Sequence, residues 1–239
     1  PYGEDGTVQG FLELLGVPYV GSGVAASAVG MDKHLMKMAF SAAGLRVGPY
    51  QVVTDRAWDA DPQGCLDRCE CLELPLFVKP ARAGSSQGVV RVDDREDLSL
   101  AIEEARMHDP KVLVEQGISG REIECAALEG RRGKPTRASV GGEVVVDAAA
   151  ADLYDYESKY LADDNARTEA PARLTDEQAA SLQEQATVAY AALGCEGPAR
   201  VDFFLDEAGE WIINEINTMP GFTPISMYPQ LWAASGLPY

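Results

Sequence analysis

The stretch "NEINTMPGFTP", residues 214–224, sets an acid, Glu215, and an amide, Asn217, two positions apart and then breaks on Pro220 and Gly221. In a strand, residues i and i+2 share a face, so both oxygen-bearing side chains look into one place. The preceding Trp211, Ile212 and Ile213 favour extended structure. Such a pair fits either a solvated edge strand or a set of hard oxygen ligands for a divalent cation.

Upstream, "ARVDFFL" is a second extended run, joined to "EWIINEI" through "DEAGE", which predicts a β-hairpin. It carries Arg200 and Asp202 at the same strand spacing, so the hairpin brings them beside Glu215 and Asn217. Asp202, Glu215 and Asn217, with one guanidinium adjacent, suit Mg²⁺ carrying phosphates, because phosphate and water complete its octahedron.

Working outward, helices and strands alternate along the 239 residues, which predicts an α/β or α+β fold. Helices are expected over "GTVQGFLELL", "MDKHLMKMAFSAAG", "REDLSLAIEEARM" and the segment opened by the Thr175/Gln178 capping-box pattern. Strands are expected over "VPYVG", "LPLFVKP", "GVVRV", "KVLVEQG", "REIECAALEG" and "GEVVVD", with a boundary near residues 45–55. Residues 148–173 are polar and irregular, a length at which a functional loop is expected.

Two further constellations stand out. In "VKPARAGSSQGVVRV" (residues 78–92), a strand delivers Lys79 to a loop of glycines and hydroxyls around Ser85 and Ser86. Backbone N–H groups in such a loop can cradle phosphate, although an ordinary hairpin reads the same way. Lys33 adds a cation in the first turn of its helix. In "VLVEQGISGREIE", Glu115 and Glu122 flank a bend and suit hydrogen bonds to a base and a ribose, or simply a surface hairpin.

A formal net charge of −18, from 38 acidic and 20 basic residues, argues against non-specific binding to nucleic acid or anionic membranes. No apolar run approaches the ~18 residues of a membrane span. The five cysteines, three of them in "CLDRCEC", match no common zinc spacing and are expected to be reduced thiols of a cytoplasmic protein.

Taken together, "GEDGTVQG", "YVGSGVAASAVGMDK", "FVKPARAGSSQG", "YDYESKY", "ARVDFF" and "NEINTMPGFTPISMYP" resemble the D-alanine–D-alanine ligases of the ATP-grasp superfamily, in family order from Gly3 to the end. The resemblance implies an α+β ATP-grasp fold, two subdomains sandwiching ATP. It also implies a preceding α/β domain of about 100 residues. In these terms residues 1–25 are the tail of that domain, 26–110 the central subdomain and 111–239 the C-terminal subdomain, with a closing loop at 152–165. The implied activity is ATP-dependent joining of two D-alanines through an acyl phosphate, for peptidoglycan, by a cytoplasmic homodimer. D-Alanine–D-lactate or D-serine ligation, or a catalytically incompetent nucleotide-binding fragment, are the alternatives.

By the same resemblance, Lys33, Lys79 and Lys159 hold ATP phosphates, Glu115 and Glu122 contact adenine and ribose, and Ser86 and Ile118 complete the nucleotide site. Asp202, Glu215 and Asn217 hold two Mg²⁺, for which Mn²⁺ can substitute. Arg200 and the Gly221 N–H stabilise the developing oxyanion. Ser226 and the Met227 backbone bind the second substrate's carboxylate. Ser85 and Tyr160 close the "YDYESKY" loop. Gln116 departs from the family pattern, where lysine is frequent, so one adenine contact differs.

Overall fold

The computed structural model describes residues 2–85, 87–146, 166–223 and 225–238. In chain order, helices α1 (Thr7–Leu15), α2 (Val24–Met31) and α3 (Lys33–Ala42) precede strand β1 (Tyr50–Thr54). Helices α4 (Asp55–Ala60) and α5 (Pro62–Cys69), strands β2 (Leu76–Pro80) and β3 (Val90–Val92), helix α6 (Leu98–Arg106) and strand β4 (Lys111–Gln116) follow. Next come β5 (Gly120–Leu128), β6 (Arg137–Val146), β7 (Ala166–Glu169), α7 (Asp176–Ala192), the hairpin β8 (Pro198–Asp206) and β9 (Trp211–Asn217), and α8 (Met227–Ala234).

Local chemistry explains the helix starts. The Asp32 carboxylate accepts the N–H groups of His34 and Leu35, Asp61 accepts that of Gly64 ahead of Pro62, and Thr175 with Gln178 closes a reciprocal capping box. Each satisfies N–H groups that the first helical turn leaves without partners.

The strands form two antiparallel sheets, of order β1-β4-β2-β3 and β7-β6-β5-β8-β9. On the four-stranded sheet, Val53, Leu76, Val78, Val112 and Val114 pack with Trp58, Cys65, Cys69 and Ile102 from α4, α5 and α6. The five-stranded sheet buries Ile123, Cys125, Val201, Phe203 and Ile213 against Leu182, Ala186 and Ala189 of α7, together with Met36 and Phe40 of α3. On its other face, α8 packs Tyr228, Leu231 and Trp232 over Ala126. Gly141 and Gly142 make this sandwich possible: a Cβ on Gly141 would meet Leu182 Cδ2 at 2.8 Å, and one on Gly142 would meet Met227 Sδ at 2.7 Å.

The structure alters three expectations. Residues of "VPYVG" form no strand, and the small-residue run after it is helix α2, whose Gly30 lies against Thr218. "GEVVVD" is only the end of a strand that begins at Arg137. The expected subdomain boundary at 110 cuts β4 away from its own sheet, whereas β4 pairs with both β1 and β2, so the change of sheet falls between Gln116 and Gly120. Ahead of Tyr50, Ala26 of α2 and Met36 and Phe40 of α3 belong to the core of the five-stranded sheet. All five cysteines are free thiols, four of them buried. No helix is long and apolar enough to cross a membrane among the described residues.

Candidate active site

A cleft of about 490 Å³ opens between the two sheets. Its floor on one side is the β8–β9 hairpin. There Arg200 lies opposite Asn217 and Asp202 opposite Glu215, so all four side chains share one face. The alternate residues, Val201, Phe203 and Ile216, point into the core on the other face, and this apolar alternation holds the polar set in register.

Asp202 is buried, and its carboxylate takes a bidentate pair of bonds from Arg200, Nε and Nη2 each at 2.7 Å. Asn217 Nδ2 donates to Asp202 Oδ2 at 3.1 Å, and Arg200 Nε also lies 3.2 Å from Glu124 on β5. Burial opposes the Arg200 charge, but the adjacent Asp202 outweighs it and holds the guanidinium pKa well above its ordinary value. Burial likewise raises the Asp202 carboxyl, and Glu215 across the hairpin adds to that rise against the pull of Arg200. Among the described residues no three His, Cys, Asp or Glu side chains gather into a ready-made metal cage. The donor set is two carboxylates and one amide. It suits a hard cation that brings most of its own ligands, and Mg²⁺ is such a cation.

Across the cleft, the four-stranded sheet presents Tyr50, Glu115 and Phe77 in one cross-strand row. Glu115 is buried between two ammonium groups, with Lys79 Nζ at 2.6 Å and Lys37 Nζ at 3.1 Å. The first is a hydrogen bond, whereas the Lys37 contact has the distance of an ion pair without hydrogen-bond alignment. Burial alone would raise the Glu115 pKa; the two lysines reverse this and bring it to about 2. Lys33 donates to the Ala83 carbonyl in the glycine-rich loop at 2.6 Å, and burial lowers its pKa while Glu215 opposes the shift.

The cleft brings together Lys33, Lys79, Ser85, Glu115, Ile118, Glu122, Arg200, Glu215, Asn217 and Gly221. Asp202 lies just beneath, within reach of Arg200 and Asn217. Both oxygens of Glu115, expected to contact adenine or ribose, face lysines. Gln116 Oε1 accepts the Glu73 N–H, a bond that ties down the edge of the cleft. Ser226 and Met227 are not part of the lining: Ser226 Oγ is engaged by Thr223, and the Met227 side chain is in the α8 core. Ser226 nevertheless abuts Gly221, where a Cβ would meet its Oγ at 2.8 Å. Ser86, Lys159, Tyr160 and the loop 152–165 lie outside the described residues.

Sequence reasoning missed three charged neighbours: Lys37, Glu124 and Glu4. Helical spacing could have found Lys37, one turn beyond Lys33 on the same face. Strand spacing could have found Glu124, two residues after Glu122. No local pattern marks Glu4, which lines the cleft with a carboxyl raised by burial.

Residues 39–239 match the family model described as D-ala D-ala ligase C-terminus. The chain is 59% identical to a D-alanine–D-alanine ligase of Arthrobacter sp. (strain FB24), over 100% of this chain and 63% of that protein. It is 56% identical to one from Streptomyces coelicolor, over 100% of this chain and 61% of the relative. Among solved structures, the VanG D-Ala:D-Ser ligase from Enterococcus faecalis superposes with a TM-score of 0.86 at 38% identity, covering 99% of this chain and 66% of that one. D-alanyl-alanine synthetase A from Vibrio cholerae gives 0.87 at 35% identity, covering 99% and 70%. The chain thus spans under two thirds of the length of the curated relatives it matches. Matched over most of its length by the family model and carrying the paired antiparallel sheets of the ATP-grasp fold, the chain belongs to the D-alanine–D-alanine ligase family.

Proposed function

We propose that this chain carries the nucleotide- and metal-binding part of an enzyme that joins two D-alanines at the expense of ATP. The observation that carries the reading is the charge pattern of the cleft. Among the described residues its lining has four cations, Lys33, Lys37, Lys79 and Arg200, and four carboxylates, Glu4, Glu115, Glu122 and Glu215. A triphosphate would be repelled by the carboxylates of the hairpin unless divalent cations stood between them. Lysines on one wall and hard oxygen donors on the other therefore suit a metal nucleotide better than a bare anion.

In this reading Lys33 and Lys79 orient the phosphates from the four-stranded side. Asp202, Glu215 and Asn217 hold Mg²⁺, which when bound neutralises phosphate charge and polarises the transferring group. The γ-phosphoryl group passes to the carboxylate of the first D-alanine, leaving ADP and an acyl phosphate. The amine of the second D-alanine attacks the acyl carbon, loses a proton, and the tetrahedral intermediate collapses with expulsion of phosphate. Arg200, which Asp202 and Glu124 hold, and the Gly221 N–H would receive the negative charge on the carbonyl oxygen.

The test is phosphate release and product analysis with the full-length protein, ATP and Mg²⁺, offering D-alanine alone or with D-serine or D-lactate. The expected result is one phosphate per D-alanyl-D-alanine, with the mixed products minor. A mixed product as the main species would assign the second substrate differently, and ATP binding without any ligation would support the incompetent-fragment alternative.

A further inference from the structure

Lys37 has no part in the reaction just described, yet it is the most deeply buried lysine of the cleft, 3% exposed. It stands on α3 one turn beyond Lys33, with Nζ 3.1 Å from Glu115 Oε1 and 5.8 Å from the centre of the Tyr50 ring. The other Glu115 oxygen is held by Lys79, 2.6 Å away, whose side chain keeps 20% of its surface exposed. One carboxylate thus serves two ammonium groups, one inside the protein and one at the cleft. A lysine that reaches for a phosphate must loosen its hold on this carboxylate. Without a second cation, that move would strand a buried, unpaired charge, which is strongly unfavourable.

We propose that Lys37 is a positioning residue: it keeps Glu115 neutralised so that Lys79 can transfer from the carboxylate to a nucleotide phosphate. The proposal rests on the nucleotide reading of the cleft. Four groups face Glu115 and set its charge: Lys37 and Lys33 from α3, Lys79 from β2 and Tyr50 from β1. Remove Lys37, and nucleotide binding leaves Glu115 without an ion-paired cation, since Lys33 is bonded instead to the Ala83 carbonyl. The carboxylate must then take up a proton as the nucleotide binds. Proton uptake of this kind is a linkage effect that mere loosening of the fold does not produce.

The experiment is calorimetric titration of Mg²⁺-bound non-hydrolysable ATP analogue into the full-length protein, in buffers of differing ionisation enthalpy between pH 6 and pH 8. Relative to the parent, Lys37→Met is expected to gain close to one proton per nucleotide bound and to lose affinity about tenfold per pH unit as pH rises. Lys37→Arg should restore the parent stoichiometry. In the Lys37→Met/Glu115→Gln double variant the extra uptake should vanish, because no carboxylate remains to be neutralised. Unchanged proton stoichiometry in Lys37→Met, with the parent binding nucleotide, overturns the inference alone. Absence of nucleotide binding by the parent overturns the reading of the cleft and the inference with it. If Lys37→Met does not fold, the nucleotide-saturated parent decides: NMR of the Glu115 carboxyl should show it ionised at pH 6, and a protonated group there overturns the proposal.

Discussion

Glu115 shows how one residue's surroundings decide its chemistry. Burial favours its neutral form, but Lys37 and Lys79 hold it ionised with a pKa of about 2, against 4.5 for a free side chain. The folded value is the lower one, so the stabilisation is fully present above pH 4.5 and fades as pH falls toward 2. Glu115→Gln should therefore be less stable than the parent by about 3 kcal/mol at pH 6. The gap should shrink below pH 4.5 and close near pH 2, measured by urea unfolding of both proteins across that range. Glu115 could be picked out in the sequence because it ends a strand beside a bend. Its pairing with Lys37 and Lys79 could not, since they come from a helix and a strand distant in the chain and ion pairing across elements leaves no local pattern. The hairpin residues were more legible: strand periodicity alone put Arg200 and Asp202 beside Glu215 and Asn217, as the register shows.

Elements with strong local chemistry follow the sequence closely. The capping box of Thr175 and Gln178, the glycine-bounded α1 and the β8–β9 hairpin all form as their residues indicate. "VPYVG" fails as a strand because β-favouring residues need a strand to pair with, and none of the described strands pairs with it. The glycine pair in β6 was equally opaque, because two adjacent glycines in a strand look like a turn. Their reason is tertiary: each lets a helix approach one face of the sheet. Gly141→Ala should thus cost stability through crowding, since the new Cβ meets Leu182, Ile123 and Leu174 at 2.8, 3.1 and 3.2 Å. A loss of about 1–3 kcal/mol is expected by denaturant unfolding. An alanine tolerated without loss would mean that α7 can shift away freely.

For the whole molecule, the decisive feature is that one cleft between two separately packed sheets gathers lysines and hard oxygen donors. Helix α3 joins them: Met36 and Phe40 are in the core of the five-stranded sheet, while Lys37 is paired with Glu115 of the four-stranded one. Lys79 from the four-stranded sheet and the oxygen donors of the β8–β9 hairpin meet only because both cores are formed. The acidic composition of the chain is compatible with this, since the lysines are gathered locally while acids dominate overall. The most direct test removes one donor without changing its shape. Glu215→Gln in the full-length protein should lower Mg²⁺-dependent formation of D-alanyl-D-alanine by about a hundredfold or more, a loss of about 3 kcal/mol of transition-state stabilisation, while thermal unfolding stays within a few degrees of the parent. A variant with the parent's turnover and the parent's dependence on Mg²⁺ would contradict the assignment of this hairpin as the metal-holding wall.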